Sequence, residues 1–444
     1  MGMQSGSFAS NTAITATTNL LLAGVGALTG ILAARILGVD GRGELAAIQL
    51  WPALIAAVAM LGLPEAIVYN SARDRDHSAQ YVATAVLLAL AAGGLFVGVG
   101  YGAMPVLLAG QSADIVSAAR SYLVLVPIMA IAGLPYHVLR GRGDFAGWNI
   151  VRMMPGTIWL AVLIGAATLG FASAQSVAAG YLGALLILGF GTAYFVMRRV
   201  PGSYVPSFGH VSPLLRFGLP SFSTTGPNLL AARLDQIVLV AFFTPTMLGL
   251  YVVAVGWAGA VTPLLSAIAS VTFPRIAGIT DTRVRNESFA RAVRISVVAA
   301  CVAVVPVALL APVMLPLLFG ADFSRAVTAS VLLTISAAVS GVNQVLEEGL
   351  RGIGRPASIL LPQAAGLAAT VMAMVVLLPS WGIEGASVAA VAGTLTMFVA
   401  LLLVVRNITG VSIAHLCVPT AEDIKTCAAH SAHAVRNWIP ARDR

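Results

Sequence analysis

The chain has 444 residues, of which 9% are charged and 59% apolar. A soluble domain carries roughly a quarter charged residues, so this balance excludes a soluble enzyme, a disordered chain and a nucleic-acid-binding domain. The charge is 25 basic against 17 acidic residues, all of the basic ones arginine except Lys425. Three cysteines (Cys301, Cys417, Cys427) and no CxxC pair exclude a disulfide framework.

Apolar stretches alternate with short polar breaks. A hydrocarbon core about 30 Å thick needs roughly 20 helical residues per crossing. On that measure the sequence predicts twelve spans, at 12–35, 45–69, 79–105, 117–138, 149–170, 177–197, 217–243, 247–273, 292–318, 326–348, 357–378 and 384–405. They are expected to be helices, because a lipid-facing backbone must satisfy its own hydrogen bonds and barrel strands would alternate in polarity. The shortest break is Thr244-Pro245-Thr246. The first stretch is too long, and Met1–Ser10 too poor in basic residues, for a cleaved signal peptide.

Arginine placement predicts the orientation. With the N-terminus in the cytoplasm, the even breaks and the tail hold nineteen basic residues, and the odd breaks hold four: Arg35, Arg42, Arg120 and Arg325. This positive-inside bias puts both termini in the cytoplasm.

The sequence also repeats itself. Leu139-Arg-Gly-Arg-Gly143 returns as Leu350-Arg-Gly-Ile-Gly354, and Ser176-Val-Ala-Ala179 as Ser387-Val-Ala-Ala390, both 211 residues later. Leu107-Leu-Ala-Gly110 and Leu317-Leu-Phe-Gly320 agree at 210. Six spans per half is an even number, so the two halves should be parallel repeats flanking a central cleft, as in a transporter. The expected organisation is an N-terminal six-helix bundle over 1–197, a cytoplasmic linker over 198–216, a C-terminal six-helix bundle over 217–405, and a cytoplasmic tail over 406–444.

Polar groups inside spans mark the candidate site, because they are costly in hydrocarbon. Asp235 is the one carboxylate well inside a span, and Arg233 stands two residues before it. Residues i and i+2 point in different directions on a helix, so each should need its own partner across the cleft, or a ligand. Arg152 is the other intramembrane cation, and its repeat counterpart is Gln363. Asn19, Gln49, Asn228, Asn343 and Gln344 add amides, which either glue helices together or line a cleft. Arginines with amides would suit a hydroxyl-rich, anionic ligand. His137 and its repeat counterpart Glu348, with Arg140 and Arg351 beside them, are candidates for a cytoplasmic gate.

Other patterns carry less. Gly24-Val-Gly-Ala-Leu-Thr-Gly30 lies in the middle of a span with no strand before it and reads as close helix packing. In the tail, Thr420 and Asp423 resemble a helix start, with Ile424, Cys427, Ser431, Val435 and Trp438 on one face, so a short amphipathic helix is expected there. Cys427, His430 and His433 lack an evident fourth ligand for a metal site.

Several stretches resemble those of the polysaccharide and lipid-linked-oligosaccharide flippases of the multidrug/oligosaccharidyl-lipid/polysaccharide exporter superfamily. They are Arg35-Ile-Leu-Gly-Val-Asp-Gly-Arg-Gly-Glu44, Gly62-Leu-Pro-Glu-Ala66, Arg233-Leu-Asp-Gln236, Leu248-Gly-Leu-Tyr251, Leu318-Phe-Gly-Ala-Asp-Phe323 and Leu350-Arg-Gly-Ile-Gly-Arg-Pro356. The resemblance spans about residues 10–405. It implies an all-α integral membrane fold of about twelve helices, a V-shaped pair of bundles, in a bacterial cytoplasmic (inner) membrane. It also implies an undecaprenyl-diphosphate-linked oligosaccharide repeat unit, flipped from the cytoplasmic to the periplasmic leaflet with its lipid tail left in the bilayer. No bond is broken, so no enzyme activity and no cofactor are expected. The resemblance implies ion coupling, by a proton or sodium ion, with Asp235 as the coupling candidate. Membrane lipid, the lipid-linked glycan, a polysaccharide polymerase and glycosyltransferases are the expected partners, and no nucleic acid is. The sparse intramembrane charge favours a polymer repeat unit over lipid II. A multidrug or cation antiporter of the same superfamily and a non-transporting scaffold of a polysaccharide synthase are the competing readings.

Overall fold

The computed structural model describes residues 5–171 and 173–418. These are helical almost throughout, with no strand among them. The chain divides into two compact units, residues 1–252 with 318–320, and residues 253–317 with 321–444.

The first unit runs α1 (Ser5–Ala59), α2 (Leu63–Arg73), α3 (Ser78–Leu107), α4 (Ala113–Tyr122), α5 (Leu125–Gly133), α6 (His137–Gly141), α7 (Phe145–Leu169), α8 (Ala174–Arg199), α9 (Val211–Ala231), α10 (Leu234–Phe242) and most of α11 (Pro245–Ala258). The second runs from the end of α11 through α12 (Thr262–Ala277), α13 (Thr282–Phe319), α14 (Val327–Gly352), α15 (Leu360–Thr409) and α16 (Ile413–Cys417), with Leu318–Gly320 assigned to the first unit.

Nine stretches among the described residues are long and apolar enough to cross a membrane. Two of them, Thr17–Arg73 with 57 residues and Pro356–Thr409 with 54, are long enough for two crossings each. Each carries an internal break at a glycine: Gly38 at φ 67° in α1 and Gly382 at φ 54° in α15. A left-handed residue cannot continue the helical hydrogen-bond ladder, and only glycine adopts that conformation without strain. These breaks, with the α9–α10 segment, make the helices compatible with twelve crossings. The fourth predicted span is three helices, α4 to α6. Its last break falls at Leu134–Tyr136, where Pro135 has no N–H to donate. The seventh breaks between α9 and α10, and Arg233 becomes the N-cap residue of α10.

Helix starts follow sequence chemistry. Ser112, Asp144 and Ser412 each accept from a backbone N–H in the first turn of α4, α7 and α16. Ser173 and Ser176 form a reciprocal capping box at α8.

The repeated Leu-Arg-Gly-x-Gly motif builds the same turn in both units. Asp144 N donates to Leu139 O at 2.8 Å, and Arg355 N donates to Leu350 O at 2.9 Å. Gly143 and Gly354 take φ 86° and 84°. This is a helix C-terminus closed by a left-handed glycine, with the next residue bonding back into the last turn.

In the first unit a core of Leu63, Ile67, Tyr81, Leu134, Trp148, Val196 and Leu214 joins α2, α3, α7, α8 and α9. In the second, Phe289, Val345, Leu346, Leu350, Leu401 and Val405 join α13, α14 and α15. Within the first unit, helices from before and after the linker meet at glycines. A Cβ added to Gly62 would lie 2.1 Å from Gly218 O, and one added to Gly249 would lie 2.1 Å from Val39 O. By contrast a Cβ at Gly24, Gly26 or Gly30 meets open space. The stretch does meet α7, where a Cβ added to Gly156 would lie 3.3 Å from Val25 Cγ1, but its own glycines are not at the contact.

Candidate functional site

The sequence-predicted polar residues form local groups within each unit. In the first unit, Arg152 on α7 donates through Nη2 to Asn19 Oδ1 on α1 at 2.7 Å. Its guanidinium carbon stands 5.0 Å from the ring centroid of Trp148, one helical turn back. Arg140, exposed at the end of α6, stands 5.3 Å from the same ring. His137 stacks on Tyr136 with centroids 4.4 Å apart. Arg152, Asn19, Arg140 and His137 are thus one neighbourhood, organised by an indole that sequence reasoning did not single out. Asn149, 2% exposed, donates to Thr15 Oγ1 at 3.2 Å and to Phe145 O at 2.9 Å, tying α7 to α1.

Asp235 and Arg233 do not bond to each other, as their spacing predicts. The partners, however, are local. Tyr251 on α11 donates its hydroxyl to Asp235 Oδ2 at 2.7 Å, and Gln236 N donates to Oδ1 at 2.8 Å. Tyr251 is fully buried. Arg233 is exposed, and its Nη1 donates to Gln236 Oε1 at 3.1 Å, within the same helical turn. Because α9 stops before it, Arg233 sits at a helix break inside a predicted span, where backbone groups are freed as well.

The remaining amides mostly tie helices together. Gln49 donates to Tyr122 OH at 3.2 Å, and Asn343 to Thr394 O at 3.0 Å. Gln344 accepts from Ser266 Oγ at 3.1 Å. The Asn228 side chain lies outside the described residues, as does the tail beyond residue 418 with its predicted amphipathic helix and Cys427, His430 and His433.

In the second unit Gln363 donates to Glu347 Oε1 at 2.8 Å. Arg351 reaches Glu347 Oε2 at 3.5 Å and also pairs with Glu348. Glu347, only 9% exposed, was missed as a site residue because it lies near a span end, where an acidic side chain normally meets water.

Carboxylates satisfied by tyrosine and amide donors, and arginines held by an amide inside apolar helices, mark candidate functional positions in a multi-pass membrane protein. Solved structures agree with the fold. The chain superposes with TM-score 0.71 on "Lipid II flippase MurJ, inward closed conformation", at 12% identity over 96% of this chain and 93% of that one. It superposes with TM-score 0.69 on the inward-facing conformation of a multidrug resistance MATE family transporter of the MOP superfamily, at 18% identity over 89% and 98%. An outward-facing conformation of a multidrug resistance MATE family transporter matches at TM-score 0.59, 18% identity, and 90% and 96% coverage. No curated protein matches the sequence.

Residues 8–280 match the polysaccharide biosynthesis protein family, and the chain belongs to it.

Proposed function

We propose that this protein is a flippase for an undecaprenyl-diphosphate-linked oligosaccharide repeat unit. It carries the unit from the cytoplasmic to the periplasmic leaflet of a bacterial inner membrane by alternating access, for surface polysaccharide assembly. The observation that carries the reading is Arg152. In a member of a polysaccharide biosynthesis family, an intramembrane arginine is held by Asn19 and bonded to no carboxylate among the described residues. Such a cation is free to take an anionic headgroup in fork geometry. Arg233, exposed at its helix break, is a further cation, in a separate group, for the passage of that headgroup.

The work required is electrostatic. A diphosphate and its sugars would lose their hydration in hydrocarbon. Arginines and amides replace that hydration along the path while the polyprenyl chain stays in lipid. Asp235 is the coupling group. As a carboxylate it holds α10 against α11 through Tyr251. Taking up a proton or sodium ion weakens that bond and loosens the two helices.

Deleting the gene should make undecaprenyl-linked repeat units accumulate inside the cell while surface polymer is lost. Normal polymer in the deletion strain would refute the proposal. Asp235→Asn should lower initial transport rates at least tenfold in proteoliposomes and remove their response to an imposed ion gradient. An unchanged gradient response would end the coupling role. The similarity to multidrug resistance MATE transporters favours a second reading, a cation antiporter. Changed sensitivity of the deletion strain to cationic dyes, with polymer intact, would support that reading instead.

A further inference from the structure

The two copies of the Leu-Arg-Gly-x-Gly turn have the same backbone and opposite chemistry. In the second unit, the arginine of the turn, Arg351, is held by two carboxylates from the preceding helical turn, Glu347 and Glu348. Gln363, one helix further on, closes the group by donating to Glu347. The charge of this arginine is more than offset from within.

At the 211-residue offset the first unit has Tyr136, His137, Arg140 and Arg152 in those four positions. Both carboxylates are missing, and the amide has become a second cation. The Arg140 side chain makes no hydrogen bond or ion pair among the described residues, and the Arg152 guanidinium bonds only to Asn19. The one acidic residue of the turn, Asp144, is taken up by Arg199 at 2.6 Å and by Gly147 N at 2.9 Å. Both guanidiniums stand by the Trp148 ring, at 5.3 and 5.0 Å from its centroid; Trp148 is 8% exposed, and its indole N–H is buried without an acceptor among the described residues.

We infer that Arg140, Arg152 and Trp148 form a docking subsite for the phosphate of a lipid headgroup, which takes the place that Glu347 and Glu348 fill in the second half. Phosphate supplies what the site lacks: negative charge for two arginine guanidiniums. Carboxylates fill the second copy from within, so only the first half of the molecule receives the headgroup. Two lipids carry this chemistry. One is the polyprenyl diphosphate of the proposed function, on which this part of the inference rests. The other is an anionic phospholipid of the bilayer.

The test uses the full-length protein in phosphatidylcholine nanodiscs, with binding read by native mass spectrometry and by titration. The probes are undecaprenyl diphosphate, phosphatidylglycerol and inorganic pyrophosphate. The Arg140→Gln/Arg152→Gln double variant should bind undecaprenyl diphosphate at least tenfold more weakly than the unaltered protein. His137→Glu keeps both arginines but installs the carboxylate of the second half, and should weaken binding similarly. Arg198→Gln, another arginine over an aromatic ring, should stay within twofold. Competition by pyrophosphate would support recognition of the phosphate itself.

If phosphatidylglycerol binding alone depends on the two arginines, the subsite stands and the substrate in the proposed function falls. If the double variant and His137→Glu bind all three probes as the unaltered protein does, the subsite is overturned. Accumulation of lipid-linked repeat units in the deletion strain would leave the flippase reading intact in that case.

Discussion

The Asp235 carboxylate shows what a single intramembrane charge demands. Two donors converge on it, the Tyr251 hydroxyl at 2.7 Å and the Gln236 N–H at 2.8 Å, and the tyrosine is wholly buried. A hydrogen bond to a charged group contributes about 1.5–3 kcal/mol, so Tyr251→Phe should lower the thermal midpoint of the purified protein measurably. A midpoint unchanged within error would mean that the carboxylate is not held by this bond. That Asp235 is special was legible in the sequence, because no other acidic residue stands deep in a predicted span. Its partner was not, since residues 16 apart on different helices meet only through packing. The same holds for Glu347, whose position near a helix end disguised a side chain that is 9% exposed and bonded to Gln363.

At the scale of elements, glycines decide where helices approach and where they break. Gly62 has φ 70°, and a Cβ there would sit 2.1 Å from Gly218 O. Gly62→Ala therefore incurs roughly 1–2 kcal/mol from the left-handed backbone alone and also forces α2 away from α9. Gly24 lies in open helix where a Cβ meets nothing. Gly24→Ala should be neutral or stabilising by up to about 1 kcal/mol, as helix propensity dictates. Thermal stability of the two variants in detergent should move in opposite directions, or for Gly62→Ala alone. Equal losses would contradict this division. Sequence alone could not separate these glycines. Gly24, Gly26 and Gly30 have the small-residue spacing of a helix crossing, yet a Cβ on any of them meets nothing, whereas Gly62 and Gly249 carry the close approaches. Sequence did mark the turns that end helices, since Gly143 and Gly354 recur within a repeated motif and both adopt positive φ.

At the scale of the whole molecule, the arginine bias makes a topological prediction. On a background with Cys301, Cys417 and Cys427 replaced by serine, Asp76→Cys lies in an arginine-rich break and Asp114→Cys in an arginine-poor one, both at exposed positions. A membrane-impermeant maleimide should label the second in intact cells and the first only after permeabilisation. The reverse pattern would invert the topology. The sequence by itself determined the class of molecule, the helical spans and the repeated turn, because these follow from local quantities: hydropathy over about 20 residues, the arginine count of each break, and the conformational freedom of glycine. Only the tertiary structure decided which charges are satisfied and which are left open. Arg351 and Arg140 stand at equivalent places in the sequence repeat, but one is closed by its own glutamates and the other stands beside an indole with no acceptor. The two glutamates stand in the same helix as Arg351 and are legible in the sequence; what packing alone supplies is Gln363 donating to Glu347 in one copy and the Trp148 ring beside Arg140 in the other.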